Sequence, residues 1–146
     1  MSEVRSNIII VDDDSEDVEL LSRGLKGASS NYDIVHLSNG LNLLDELEKR
    51  ATGLSGRLPD LILLDLQMPV MGGEETLAAV KSDNRFRSIP VIILSSTKSQ
   101  RDIDALYQLG ANSFLSKPDS LEGYSKATRL IDSYWLQLSQ LPRHLS

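Results

Sequence analysis

Three acidic side chains stand directly after an apolar run near the start of the chain. Residues 8–11, Ile-Ile-Ile-Val, lead straight into Asp12, Asp13 and Asp14. Adjacent carboxylates repel one another, and removing them from water raises their pKa values and costs stability. A divalent cation would offset this repulsion, and oxygen ligands suit hard ions such as Mg2+ or Mn2+. The acids therefore predict a hard metal site.

Three later apolar runs also end in groups that are useful for phosphate chemistry. Asp65 ends "DLILLD", Ser95 follows "VIIL", and Lys117 ends "SFLSK". A carboxylate beside Mg2+ can attack phosphorus to form an acyl phosphate, while an ammonium and a hydroxyl bind phosphoryl oxygens. Because Asp65 stands alone at its strand end, we expect it to be the nucleophile, with the pair Asp12 and Asp13 holding the metal.

Each of these residues taken alone has an ordinary structural interpretation. A lone Asp after a strand caps a helix or a turn more often than it binds a metal, and Asp14 fits the cap. A lone Ser is usually in a turn, and a lone Lys is usually solvated. Four strand ends that all carry such groups favour a functional site over chance.

The elements that must position these groups form five repeats of strand and helix. The apolar runs that predict strands lie at residues 7–11, 32–37, 60–65, 91–95 and 113–117. Stretches of helical spacing lie between them, and a long last helix is predicted at about 119–140. Right-handed crossovers then give an α/β fold, a doubly wound parallel sheet with helices on both faces. Ligands of such sheets bind outside the carboxyl ends of the strands, where the polar groups stand.

Composition narrows the class of protein. The chain has 146 residues, and residues 1–146 are expected to form a single domain. A net charge of -6 argues against nonspecific nucleic-acid binding and against an anionic membrane surface, and the absence of cysteine excludes thiolate sites. The apolar runs are far shorter than the ~20 residues of a membrane helix, and no signal peptide is visible. We therefore expect a cytoplasmic protein.

Four motifs, in order, resemble the receiver domain of bacterial two-component response regulators of the chemotaxis-regulator type. They are "IIIVDD", "LLDLQMPVMGG", "PVIILSS" and "GANSFLSKP", and the similarity spans about residues 7–126. The resemblance implies a flavodoxin-like strand order, 2-1-3-4-5, and a single receiver domain without an output domain. It also implies a phosphoacceptor for a sensor histidine kinase. Such a protein is not an enzyme beyond catalysing its own phosphorylation and slow dephosphorylation.

The resemblance implies roles for individual residues. Asp65 is the phosphoacceptor, and Lys117 is the lysine that contacts the phosphoryl group. The implied Mg2+ ligands are Asp12, Asp13, Asp65 and the backbone carbonyl of Gln67.

Two further residues match the family's conformational switch. Ser95 matches the switch hydroxyl, and Phe114, three residues before Lys117, matches the aromatic rotamer switch. In the family, phosphorylation draws the hydroxyl towards the phosphate and the aromatic ring turns inward. This change reshapes the face formed by the fourth helix, fifth strand and fifth helix.

The C-terminal segment carries two more indications. Its sequence "IDSYWLQLSQLP" is similar to the ending of small regulators paired with bacterial phytochromes, which implies a phytochrome-type photoreceptor kinase as partner. A helix of about 22 residues is ~33 Å long and outruns a strand of ~17–20 Å. Its overhanging apolar side chains would then form an exposed patch, which favours a homodimer over folding back onto the domain. The side chains in question are Trp135, Leu136, Leu138 and Leu141.

Three alternative functions compete with a receiver. A phosphohydrolase of the haloacid dehalogenase type would use Asp12 as nucleophile; Asp12 and Asp14 fit its first motif, but Glu16 replaces the required Thr or Val, and the chain is short for that family. A nucleotide-binding module lacks its Gly-rich phosphate loop here. A degenerate receiver that only binds partners is disfavoured because all the key residue types are present.

Overall fold

The computed structural model describes residues 6–28, 32–53, 56–97 and 99–138. The strands are β1 (Ser6–Val11), β2 (Tyr32–Leu37), β3 (Leu61–Asp65), β4 (Val91–Ser95) and β5 (Ser113–Ser116). The helices are α1 (Ser15–Ala28), α2 (Gly40–Thr52), α3 (Gly73–Ser82), α4 (Gln100–Leu109) and α5 (Leu121–Ile131). Every predicted strand is present, with its ends within one residue of the prediction.

The five strands form one parallel sheet in the order β2-β1-β3-β4-β5. This arrangement confirms the predicted flavodoxin-like order, and it makes β1 and β3 neighbours at the centre. Val11 pairs with Leu64 in register, so the next residues along the two strands, Asp12 and Asp65, emerge side by side. The switch point of strand order, where such sheets bind ligands, therefore carries the acidic residues.

Two apolar layers hold the central strands in place. Ile9, Val11 and Leu64 pack with α2, α3 and α4 on one face of the sheet. Ile10 and Leu63 pack with α1 and α5 on the other face. All five side chains are fully buried, and burial of each stabilises the fold by roughly 1.5–3 kcal/mol. Strands that are buried on both faces leave little freedom to the residues at their ends.

Two helix ends follow local sequence signals. The Asp14 carboxylate accepts hydrogen bonds from the backbone N–H groups of Glu16 (2.9 Å) and Asp17 (3.2 Å), which confirms it as the cap of α1. Gly110 ends α4 with φ of 111°, a left-handed conformation that favours glycine. Each of these signals involves only a few neighbouring residues, and each is present in the folded structure.

The C-terminal helix differs from the prediction. It begins at Leu121 and becomes a π-helix at Asp132–Leu138; residues 139 and 140 lie outside the described part of the chain. The expectation that Trp135 and Leu136 are exposed is wrong, because both are partly buried against the core between α1, α5 and the sheet. Burying these apolar side chains against the domain is more favourable than leaving them exposed on a straight helix that extends past the sheet. The side chains of Leu138 and Leu141 also lie outside the described residues.

Among the described residues, no helix combines the length and the apolar character needed to cross a membrane.

Candidate metal and phosphoryl-transfer site

Three carboxylates predicted to bind a metal meet at the carboxyl edge of β1 and β3. One oxygen from each of Asp12, Asp13 and Asp65 lies within 4.8 Å of the others. Asp12 is 2% exposed and Asp65 is 6% exposed, whereas Asp13 faces solvent. Such a set of oxygen ligands, with no nitrogen or sulfur ligand among them, suits a hard divalent cation.

Lys117 supplies the positive charge of the site from the end of β5. Its Nζ lies 3.1 Å from Asp12 Oδ2, 3.2 Å from Asp65 Oδ1 and 2.9 Å from Asp17 Oδ2. The Lys117 backbone N–H donates to the Ser95 carbonyl at 2.9 Å, so the hydrogen bonding between β4 and β5 continues one step past the strands. This bond fixes the backbone position from which the Lys117 side chain extends. The ammonium is therefore shared among three carboxylates.

The charges of the site are unbalanced. Burial and repulsion from Asp12 raise the pKa of Asp65 to about 6, although Lys117 opposes both effects. Burial likewise raises the pKa of Asp12, against the hydrogen bond from the Asp14 N–H and the attraction of Lys117. Burial alone would lower the pKa of Lys117, but its hydrogen bonds to Asp17 and Asp12 outweigh burial and raise it. Because one ammonium cannot neutralise all these carboxylates, a further positive charge at the site would be electrostatically favourable.

A polar cavity of about 550 Å³ opens above the carboxylates. Ser95 is buried at its wall, and its Oγ accepts a hydrogen bond from the Thr97 backbone N–H at 3.2 Å. Predicted site residues that line the cavity are Asp13, Asp65, Gln67, Ser95 and Lys117. The cavity brings a carboxylate, an ammonium and a hydroxyl together, a set of groups suited to phosphoryl transfer.

Phe114 lies away from the cavity. Its ring is partly buried and packs against the core on the side of α2, α3 and α4. Its backbone N–H donates to the hydroxyl of Tyr107 on α4 at 3.0 Å. Phe114 therefore sits where β5 meets α4, and it does not contribute to the metal site.

Two contacts of the site do not follow from the sequence patterns. The sequence indicates Asp17 only as an acid at the start of a helix, yet it is the nearest carboxylate to Lys117, and its other oxygen accepts a hydrogen bond from Tyr124 OH at 3.0 Å. His36 has the pattern of an ordinary strand residue, yet its Nε2 donates to the Asp12 carbonyl at 2.8 Å. The position of Asp17 in the first turn of α1, directly after the end of β1, is the one sequence signal for its contact.

We expect Asp65→Asn to stabilise the metal-free protein at neutral pH by about 3 kcal/mol, since folding raises the pKa of Asp65 from 3.8 to about 6 and one pKa unit corresponds to about 1.4 kcal/mol. Between the ordinary pKa of 3.8 and about 6, the folded state holds a proton that the unfolded state has released. The free energy of unfolding of the wild type therefore falls as pH rises through this window. The stability that Asp65→Asn gains over the wild type increases over the same window. Urea unfolding in EDTA at about pH 4 and about pH 7.5 measures both effects.

Asp45→Asn is the matched control for this experiment. Asp45 is an exposed acid on α2, so its substitution should change stability by no more than about 0.5 kcal/mol at either pH. A gain for Asp65→Asn that does not vary with pH, or an equal gain for Asp45→Asn, would contradict the charge imbalance.

Comparison with known proteins identifies the family. The response regulator receiver domain matches residues 8–128. The chain is 32% identical to response regulator Rcp1 of Synechocystis sp. over 135 residues, which are 92% of this chain and 92% of Rcp1. These similarities do not support the haloacid-dehalogenase-type alternative.

Two solved structures agree with this result. The phosphorylated cyanobacterial phytochrome response regulator RcpA is 30% identical, with a TM-score of 0.87 over 94% of this chain and 99% of RcpA. The Mn2+-bound form of Rcp1 is 31% identical, with a TM-score of 0.85 over 94% of this chain and 99% of that one. By sequence and by fold, the chain belongs to the response regulator receiver domain family of two-component signalling, whose members are generally phosphoacceptors and not enzymes.

Proposed function

We propose that Asp65 accepts a phosphoryl group from a histidine kinase in a Mg2+-dependent reaction that this domain itself promotes. The observation that carries the proposal is the position of the Lys117 ammonium, 3.2 Å from Asp65 and 3.1 Å from Asp12, at a cavity that Asp13 also lines. A nucleophile, a cation to bind the phosphoryl group and two further acids for a metal thus occupy one strand edge.

Each side chain of the site has a separate role in phosphoryl transfer. An Asp65 oxygen attacks phosphorus while the bond from phosphorus to the donor's imidazole nitrogen breaks; that nitrogen keeps the electron pair and takes a proton from solvent. Lys117 shifts its hydrogen bond from Asp65 to a phosphoryl oxygen and stabilises the negative charge there. Asp12, Asp13, Asp65 and the Gln67 carbonyl would hold Mg2+, which would offset the carboxylate charge and polarise the phosphoryl group. Mn2+ suits the same oxygen ligands.

Ser95 and Phe114 are proposed as the switch. The Ser95 hydroxyl lines the cavity and can donate to a phosphoryl oxygen without losing the hydrogen bond that it accepts from Thr97. Phe114, a residue of β5 that is partly buried against the core, would turn inward as the chain around Ser95 moves. Movement of these two groups would alter the face made by α4, β5 and α5.

Phosphorylation by a small donor tests the acceptor. With phosphoramidate and Mg2+, the wild type should gain one phosphoryl group, and Asp65→Asn should gain none because the nucleophilic oxygen is replaced by an amide. Lys117→Met should react at least about tenfold more slowly, as expected for loss of a charged hydrogen bond. Intact-mass spectrometry measures all three.

Asp14→Asn is the control for local charge. Asn caps a helix as well as Asp does, so this variant should stay folded and become phosphorylated at a rate within about threefold of wild type. Unchanged labelling of Asp65→Asn would refute the assignment, and loss of labelling in Asp14→Asn would show that Asp14 is more than a cap.

We also propose a phytochrome-type histidine kinase as the partner. The support is the similarity over nearly the whole chain to the cyanobacterial phytochrome response regulator RcpA. We expect phosphotransfer from phytochrome-type kinases of the source organism to be at least about tenfold faster than from its other histidine kinases, a margin of about 1.4 kcal/mol. A profile of initial rates measures this preference, and equal rates across the kinases would remove the phytochrome link.

The exposed surface of the C-terminal helix supports a homodimer. Leu130 and Tyr134 are 62% and 58% exposed, beside a largely apolar cavity of about 260 Å³ that Leu115, Ile131 and Trp135 also line. These five residues define the α5 patch. A two-fold interface that buries this patch against a second copy would remove its apolar surface from water.

Substitution in the α5 patch tests the dimer. Leu130→Glu should raise the dimer dissociation constant at least about tenfold, because it places a charge in a desolvated interface. Leu41→Glu, at an exposed leucine on α2, is the matched control and should leave association unchanged. Sedimentation velocity over a range of concentrations measures both. A wild type that stays monomeric at high micromolar concentration, or equal effects of the two variants, would contradict the homodimer.

A further inference from the structure

Lys117 has a carboxylate partner outside the predicted metal ligands. Asp17, in the first turn of α1, holds Lys117 Nζ at 2.9 Å, closer than Asp12 at 3.1 Å or Asp65 at 3.2 Å. An ammonium has three N–H donors, and three carboxylates surround this one. Asp17 is not among the residues that line the cavity, so it holds Lys117 from outside the space where a phosphoryl group would bind.

Tyr124 of α5 fixes Asp17 in turn. Its hydroxyl donates to Asp17 Oδ1 at 3.0 Å, while Lys117 binds Oδ2, so each carboxylate oxygen has one partner. The Tyr124 ring is 6% exposed and packs in the core with Val18 and Leu21 of α1. Asp17 therefore cannot turn away from Lys117 without breaking a hydrogen bond to the hydroxyl of a buried ring.

The other two partners of Lys117 change during the reaction, and Asp17 does not. Asp65 becomes an acyl phosphate, and Asp12 is proposed to bind the metal, so both carboxylates lose charge available to the ammonium. A lysine side chain has four flexible bonds, and confining it costs entropy. A carboxylate that stays bound to the ammonium throughout the reaction would keep Lys117 Nζ at the position that the transferred phosphoryl group reaches.

We propose that Asp17 is a positioning residue that holds the Lys117 ammonium ready for the phosphoryl group, and that Tyr124 orients Asp17. This inference rests on the proposed role of Lys117 in phosphorylation of Asp65. It connects the site to α1 and α5 by a chain of hydrogen bonds that does not pass through Ser95 or Phe114.

Four variants, each assayed with phosphoramidate at saturating Mg2+, test the proposal. Asp17→Asn keeps the shape but removes the charge, and it should slow phosphorylation about tenfold, as for loss of a charged hydrogen bond. Tyr124→Phe keeps the buried ring and should slow it about threefold, a smaller effect because water can replace the hydroxyl. The double variant should match Asp17→Asn, since Tyr124 acts through Asp17. Glu19→Gln, which removes an exposed charge from the same helix, should react at the wild-type rate.

A spectroscopic readout separates positioning from loss of structure. The 15N resonance of the Lys117 ammonium, assigned by its absence from Lys117→Arg, should shift in Asp17→Asn and Tyr124→Phe but not in Glu19→Gln. Circular dichroism should show all variants folded at the assay temperature.

The outcomes distinguish this inference from the proposed function. Wild-type labelling at Asp65 with Asp17→Asn as fast as Glu19→Gln would overturn the role of Asp17 and leave the proposed function standing. Additive effects of Asp17→Asn and Tyr124→Phe would overturn the role of Tyr124. A wild type that takes no phosphoryl group would overturn the proposed function, and this inference with it.

Discussion

The arrangement of the site depends on one ammonium group that is surrounded by carboxylates. Lys117 contacts Asp12, Asp17 and Asp65, and Asp13 lies beside them. Removing charges from water costs several kcal/mol per ion, and a single cation cannot compensate for all of these acids. The folded domain therefore holds an excess of negative charge that a divalent cation would relieve. That excess explains why the same cluster suits both metal binding and a reaction that begins at a carboxylate.

The rest of the fold keeps these charges together against their repulsion. The parallel order of β1 and β3 places Asp12 beside Asp65, and fully buried apolar layers on both faces prevent the strands from separating. The Asp14 cap fixes the start of α1, and with it the position of Asp17 in the first turn. Hydrophobic burial in the core thus offsets an electrostatic cost at the edge, which is how a cluster of like charges persists in a stable domain.

The site and the α5 surface are linked through the same helix. Tyr124 reaches the site through Asp17, and Leu130 and Tyr134, six and ten residues further along the chain, lie in the exposed part of the α5 patch. A change in the partners of Lys117 would therefore act on a helix that also presents the proposed dimer surface. Phe114 and Tyr107 form a separate connection, from β5 to α4.

Much of the fold could be predicted from the sequence because its signals are local. Apolar runs predicted all five strands, Asp14 predicted the start of α1, and the ordered motifs implied the strand order. The convergence of Asp12, Asp13, Asp65 and Lys117 also followed, since the carboxyl ends of parallel strands share one edge. Each of these features depends on a few neighbouring residues or on topology alone.

The tertiary structure decided what depends on the rotation and packing of helices. Asp17 and Lys117 are 100 residues apart in sequence, and their contact exists because α1 turns one face of its first turn towards the end of β5. The burial of Trp135 and Leu136 likewise depended on how the end of the chain packs against α1 and the sheet, which no local pattern records. A side chain's partners across the domain are set by the balance of packing over the whole core, so the sequence by itself determined which groups are available and the fold determined which of them meet.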